Sequence, residues 1–297
     1  MENNQLSGLP GLIGLIETRQ WDKAWQEFER LGQEGPPSAR LLLMGSHAAY
    51  GRRDFFKARH LAEKALASWS PSDPLKLLGQ IRFHLGMVTR WIGDTHVALE
   101  QFQAFLQELS AKYPELSMGE GKAYYYLALT LRDRRELDGA AAAYRQANEC
   151  FRRDGLPSLL CAGLQNLAWL FCHVHRPAEA RTALEESALL LDTPEDRIHQ
   201  TLGEAFLAAI EGRFGHAANL CESIFRRVER GESITEEEQC QAAWIAGTVA
   251  LDQGHLESAA ALASIALTYA TQAKDSRLMN DASSLRRSVL LRQQAGA

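Results

Sequence analysis

The sequence predicts an all-α chain built as a stack of antiparallel helix hairpins, and three observations carry that prediction. An alanine-led apolar pattern returns at intervals of 34 to 42 residues. A second set of small residues stands at a fixed distance before those alanines. No run alternates apolar and polar residues with period two over a useful length, so strand is not expected.

The pattern is an alanine, three residues, an aromatic or other apolar residue, two residues, and a small or apolar residue. It appears as Ala24–Phe28, Ala58–Ala62–Ala65, Ala98–Phe102–Phe105, Ala140–Tyr144–Ala147, Ala180–Leu184–Ser187, Ala217–Cys221–Ile224 and Ala259–Ala263–Ala266. Successive lead alanines are 34, 40, 42, 40, 37 and 42 residues apart. Steps of four and three keep these positions on one helical face. Upstream stand Ser46, Gly86, Ala128, Ala168, Ala205 and Gly247, each at the same separation from its alanine. Turn signals lie between the two registers: Gly51, Gly93, Asp133-Arg134, Arg176-Pro177, Gly212 and Gly254. Two helices of a tight hairpin approach most closely where both carry small side chains. The first hairpin, around Ala24, fits only in its second half.

Along the chain this gives one array over residues 1–297. Its hairpins fall at about 10–34, 38–70, 74–113, 117–154, 157–192, 194–231 and 235–273, with a closing helix at 277–294. The joints carry helix-start chemistry. Ser72-Asp73-Pro74 and Thr193-Pro194-Glu195-Asp196 offer a cap, a proline near the first helical position and acidic side chains in the first turn. Ser117-x-x-Glu120 and Thr235-x-x-Glu238 read as capping boxes. Gly155 and Pro157 break the chain between the fourth and fifth hairpins.

The pairs Leu85-Gly86, Leu127-Ala128 and Leu167-Ala168, with the alanine–aromatic–small set downstream, resemble the tetratricopeptide repeat over about residues 10–273. Most spacings exceed the 34 residues usual in that family. The longer variant resembles the helical domains of bacterial regulators, among them peptide-pheromone sensors of Gram-positive bacteria and maltose-regulator-type signalling ATPases. Those relatives usually add a DNA-binding or ATPase module, and no motif of either stands in this sequence.

The resemblance implies a right-handed superhelical solenoid whose concave groove, lined by the first helix of each hairpin, binds a protein or a short peptide. Positions three before, one after and four after the small residue are then expected to face the groove. With their neighbours they give the candidate binding residues Tyr50, Phe83, Met87, Arg90, Trp91, Lys122, Tyr125, Arg132, Gln165, Asn166, Trp169, His173, Phe206 and Trp244. Aromatic side chains supply contact area, amides pair with peptide backbone, and guanidinium groups hold carboxylates.

Composition narrows the alternatives. Hydrophobic residues make up 46% of the chain, enough for a large core. A net charge of −5, with only short basic runs, argues against nucleic acid as a partner. No apolar stretch approaches the length of a membrane span, and no secretory signal is visible. Five cysteines without a CxxC pair suit reduced thiols in a cytoplasm.

No catalytic, cofactor or metal site is expected. Gly119-Glu120-Gly121-Lys122 lacks the spacing of a phosphate loop. Cys161, Cys172, His173 and His175 do not read as four convergent ligands. No Gly-x-Ser-x-Gly or HExxH signature occurs. The expected role is therefore a non-catalytic adaptor or regulator. The alternatives are an assembly subunit that self-associates, as a homodimer for instance, through apolar residues of the last helix such as Leu278, Leu285, Val289 and Leu290, and an enzyme or metal-binding protein with a site in the groove.

Overall fold

A computed structural model describes residues 2–107, 117–273 and 275–295. Among them lie fifteen helices and no strand. The helices are α1 (Glu2–Glu17), α2 (Trp21–Gly32), α3 (Ala39–Gly51), α4 (Phe55–Ser68), α5 (Leu75–Ile92), α6 (Thr95–Phe105), α7 (Ser117–Asp133) and α8 (Leu137–Arg153). They continue as α9 (Pro157–His173), α10 (Pro177–Ala188), α11 (Pro194–Ile210), α12 (Phe214–Glu229), α13 (Glu236–Asp252), α14 (Leu256–Ala273) and α15 (Ser276–Ala295). Two compact units divide the chain, residues 1–150 and 151–297.

The repeat register becomes packing. All seven lead alanines, from Ala24 to Ala259, are fully buried. So are Ser46, Ala128, Ala168 and Ala205 on the facing helices. Gly86 meets Phe102 so closely that a bare Cβ there would lie 2.8 Å from the ring. The aromatic thus fills the space that the missing side chain leaves, as dense interiors require. Within each unit a first helix also touches the next first helix: α1 with α3, α3 with α5 and α5 with α7, then α9 with α11, α11 with α13 and α13 with α15.

Each hairpin turns on one residue in the left-handed region. These residues are Arg19, Arg53, Gly93, Arg135, His175, Gly212 and Gly254, with φ between 54° and 91°. Every one stands at the same distance before its lead alanine. The following N–H reaches back to a carbonyl of the first helix, as Asp54 N to Ala49 O at 3.0 Å and Arg176 N to Phe171 O at 2.9 Å, a Schellman-type closure. This corrects part of the turn reading. Gly51 lies inside α3, where its lack of a side chain makes room for Trp21. The turn belongs to Arg53, and in the fourth and fifth hairpins to Arg135 and His175.

Two of the expected caps form and one does not. Thr193 and Thr235 form capping boxes with Asp196 and Glu238, and Pro194 opens α11. Pro74 is the residue just before α5, whose start carries no side-chain cap. The Ser117 capping box lies outside the described side chains. On α15, Leu278, Leu285 and Val289 are buried against the preceding hairpin, while Leu290 stays exposed. No described helix is long and apolar enough to cross a membrane.

Candidate functional site

First helices bring the candidate residues together in two separate groups. In residues 151–297 the group is aromatic. Trp169 and His173 come from α9, Phe206 from α11 and Trp244 from α13. The Trp169–Phe206 and His173–Phe206 ring centroids are each 4.9 Å apart, and Phe206–Trp244 is 5.1 Å. Trp244 also lies 5.6 Å from His173. Beside these rings opens a cavity of about 400 Å³, walled by Phe206, Ala209, Ile210, Phe214, Trp244 and Ile245 and edged by His173, Thr248 and Asp252.

Two amides expected in the groove are used locally. Gln165 is buried and donates to Asp196 O at 2.8 Å. Asn166 donates to Ala162 O one turn back, at 2.9 Å. Both bonds fix backbone geometry at the start or within the turn of a helix. His199, on α11, approaches Glu238 at 3.4 Å.

In residues 1–150 the group is charged and phenolic. Arg90 of α5 and Arg132 of α7 converge on one carboxylate, that of Asp133, at 2.8 and 3.5 Å. All three side chains are mostly buried, 15%, 13% and 20% exposed. Two cations share this one carboxylate. Tyr125 stands against Tyr126 and Tyr144 at 5.6 and 5.8 Å. Burial raises the Tyr125 hydroxyl well above the ordinary phenol range, keeping it neutral. Phe83 packs edge-on against Tyr126 at 5.5 Å. Trp91 is half exposed and stacks on Phe55 at 5.9 Å, and Phe55 meets Tyr50 at 5.5 Å. Met87 and Lys122 are half-buried on α5 and α7.

Sequence reasoning missed a buried histidine pair in this unit. His47 of α3 and His84 of α5 pack ring on ring, tilted by 41° with centroids 3.8 Å apart, and His84 Nε2 is 2.9 Å from Ser46 Oγ. Burial holds His47 at about 4, and burial together with His47 holds His84 well below the ordinary imidazole value. Ser46 occupies the small-residue register, and its hydroxyl donates to Ala58 O at 2.6 Å, so it meets the His84 ring as an acceptor.

The register explains why one group has a cavity. Four residues after the small residue, the first unit places Tyr50, Arg90 and Arg132, while the second places Cys172, Ala209 and Leu251. Cys172 and Ala209 border the cavity. At this position Arg90 and Arg132 reach Asp133 in residues 1–150, whereas the shorter Cys172 and Ala209 stand at the cavity in 151–297.

The cysteines are all free and buried. Burial pushes the Cys161 thiol up to about 11 and the Cys172 thiol up to about 12, so both stay protonated and unreactive at neutral pH. Among the described residues no three His, Cys, Asp or Glu side chains gather as metal ligands would.

No protein family and no curated protein matches the chain by sequence. Solved structures match nearly all of it. A tetratricopeptide repeat protein from Parabacteroides merdae is similar with a TM-score of 0.67 at 13% identity, over 96% of this chain and 98% of that one. RapI in its apo form gives 0.66 at 10% identity, over 99% of each chain. A Rap protein in complex with Competence and Sporulation Factor gives 0.65 at 11% identity, over 99% of this chain and 89% of that one. At such identities the likeness shows the fold: the chain is a tetratricopeptide-like helical repeat array.

Proposed function

We propose that the chain is a polypeptide-binding repeat scaffold with no catalysis of its own, and that it engages its partner through the first-helix face. The observation that carries this reading is the ring cluster of Trp169, His173, Phe206 and Trp244 beside an open cavity. Consecutive first helices each supply part of it, so an extended segment could meet one repeat after another. Rigid aromatic side chains give large contact area at little entropic cost, which is why they dominate such contacts. Residues 1–150 carry a group of their own on first helices, Tyr50, Phe83, Met87 and Trp91 with the Arg90–Arg132 cluster. The fold neighbour solved with Competence and Sporulation Factor supports a ligand-binding role for this architecture. A regulator reading a short peptide is the form of the proposal we favour. Five buried free thiols suit a reducing compartment, and on that ground we place the protein in the cytoplasm.

The test is selection from a displayed random peptide library, followed by calorimetry of the selected peptides. Two variants sharpen it, each checked for folding by circular dichroism. Trp244→Ala removes a ring. Ala209→Arg puts into this unit the side chain that residues 1–150 carry at the same register. Both should weaken selected peptides at least roughly tenfold, which corresponds to about 1.4 kcal/mol. Failure to select any peptide, or equal affinity across the three proteins, would reject the reading.

A further inference from the structure

The cavity of residues 151–297 lies where three helices end. Cys172 and His173 close α9, Ala209 and Ile210 close α11, and Thr248 and Asp252 belong to the last turns of α13. A helix C-terminus carries a partial negative charge from its aligned peptide dipoles. Three such ends therefore border one cavity. Asp252 adds a full negative charge at the end of α13, where that dipole already disfavours an anion.

No lysine or arginine lines the cavity. The basic groups in the hairpin turns around it are held by neighbouring carboxylates. Arg181 and Arg213 both pair with Glu211, and Arg176 pairs with Glu179 while its guanidinium lies over the Phe171 ring at 4.9 Å. Residues 1–150 carry equal numbers of basic and acidic side chains, so the formal net charge of −5 falls on residues 151–297. Phe206, Phe214 and Trp244 contribute aromatic walls, and aromatic faces attract cations through their quadrupole.

The chain itself shows what this end of α13 accepts. Arg292 of α15 donates from Nη1 to Leu251 O at 2.6 Å, and its Nη2 lies 3.6 Å from Asp252. A guanidinium of the chain itself is therefore already held at the end of α13. Asp252 remains 47% exposed beside it, with room for a second cationic contact.

We infer that the cavity is a cation subsite, taking the basic side chain of a lysine or arginine in the bound segment. Its aliphatic stem lies along Ile210, Ile245 and the aromatic walls, and its charged head reaches Asp252 and the three helix ends. The inference rests on the polypeptide-binding reading above and adds the chemistry of the segment that is bound.

The probes are peptides selected from the random library on the parent protein, each resynthesised with norleucine in place of its lysine or arginine. Norleucine keeps the stem and removes the charge. The expected result is enrichment of lysine or arginine among selected peptides and roughly tenfold or greater weakening on the norleucine exchange. Asp252→Asn should bind the charged and norleucine forms with nearly equal, weakened affinity. Raised salt should weaken the charged peptide and spare the norleucine one. If selected peptides lose affinity with Trp244→Ala but tolerate norleucine, the cavity is an apolar anchor, and the cation assignment is overturned while polypeptide binding stands. If selection yields no peptide sensitive to Trp244→Ala, both readings fall together.

Discussion

Arg90 and Arg132 in the first unit stand at the repeat position that Cys172 and Ala209 hold in the second. The backbones at these positions are equivalent, yet one set makes a mostly buried charge cluster and the other borders a cavity. The repeat fixes where a side chain points. Its length and charge then decide whether the space is consumed by the protein's own interactions or left for another molecule. The same contrast separates the two acidic residues involved. Asp133 is mostly buried and shared by two arginines, whereas Asp252 is half exposed and holds one at 3.6 Å.

The largest expected effect tests that contrast directly. Asp133→Asn leaves two mostly buried guanidinium groups without their shared carboxylate and should cost about 3 kcal/mol. Asp252→Asn, at the exposed pair, should stay within about 0.5 kcal/mol. Urea unfolding of both variants provides the comparison, and similar losses would show that the two sites are not built differently.

Acid should act on the first unit through His47 and His84. Both are held below their ordinary value in the fold, so their neutral forms are favoured there. As pH falls through about 6.5, the unfolded chain takes up protons that the folded chain refuses. Stability is therefore complete above that pH and declines toward the folded value of about 4 for His47. His47 alone should contribute a decline on the order of 2 kcal/mol by pH 5, and His84 adds to it. His47→Phe keeps a ring against His84 and should reduce the decline in unfolding measured between pH 7 and pH 5. An unchanged slope would remove the pair as its source.

Overpacking should affect both units alike, because both use the same hairpin crossing. Gly86→Leu drives a side chain into Phe102, and Ala168→Leu does the same at a fully buried crossing of the second unit. Each should cost roughly 1–3 kcal/mol. A thermal melt equal to that of the parent for either variant would break the register.

Smallest are the turn effects. Arg53, Arg135 and His175 adopt positive φ, which non-glycine residues resist. Glycine at any of them should stabilise by up to about 1 kcal/mol, while Gly212→Ala should destabilise by a similar amount. Hydrogen exchange at the flanking helix ends would register both signs, and a glycine variant that loosens its hairpin would contradict the assigned turn.

Helices, hairpin partners and closest crossings were legible in the sequence because each depends on residues near one another in the chain. Ala58, Ala98 and Ala140 announced their own burial through spacing. Thr193 and Thr235 announced their caps. Arg53, Arg135 and His175 were not legible as turn residues, since nothing in an arginine or histidine signals positive φ. Only their common distance from the lead alanines, seen after folding, exposes the rule. Among the groove candidates, periodicity placed Arg90, Arg132, Trp169, Phe206 and Trp244 on first helices. It could not say that Asp133 would draw both arginines inward, or that Gln165 would spend its amide on Asp196 O.

What the sequence determined by itself was therefore the local grammar: helix periods, caps, and small residues where helices cross. These follow from interactions between residues close along the chain, whose geometry the helix fixes in advance. Tertiary structure decided the rest. Which charges neutralise one another, which histidines become neutral, and where three helix ends surround a cavity all depend on side chains from different hairpins meeting in space. Their burial sets the local dielectric, and with it the strength of each of those interactions.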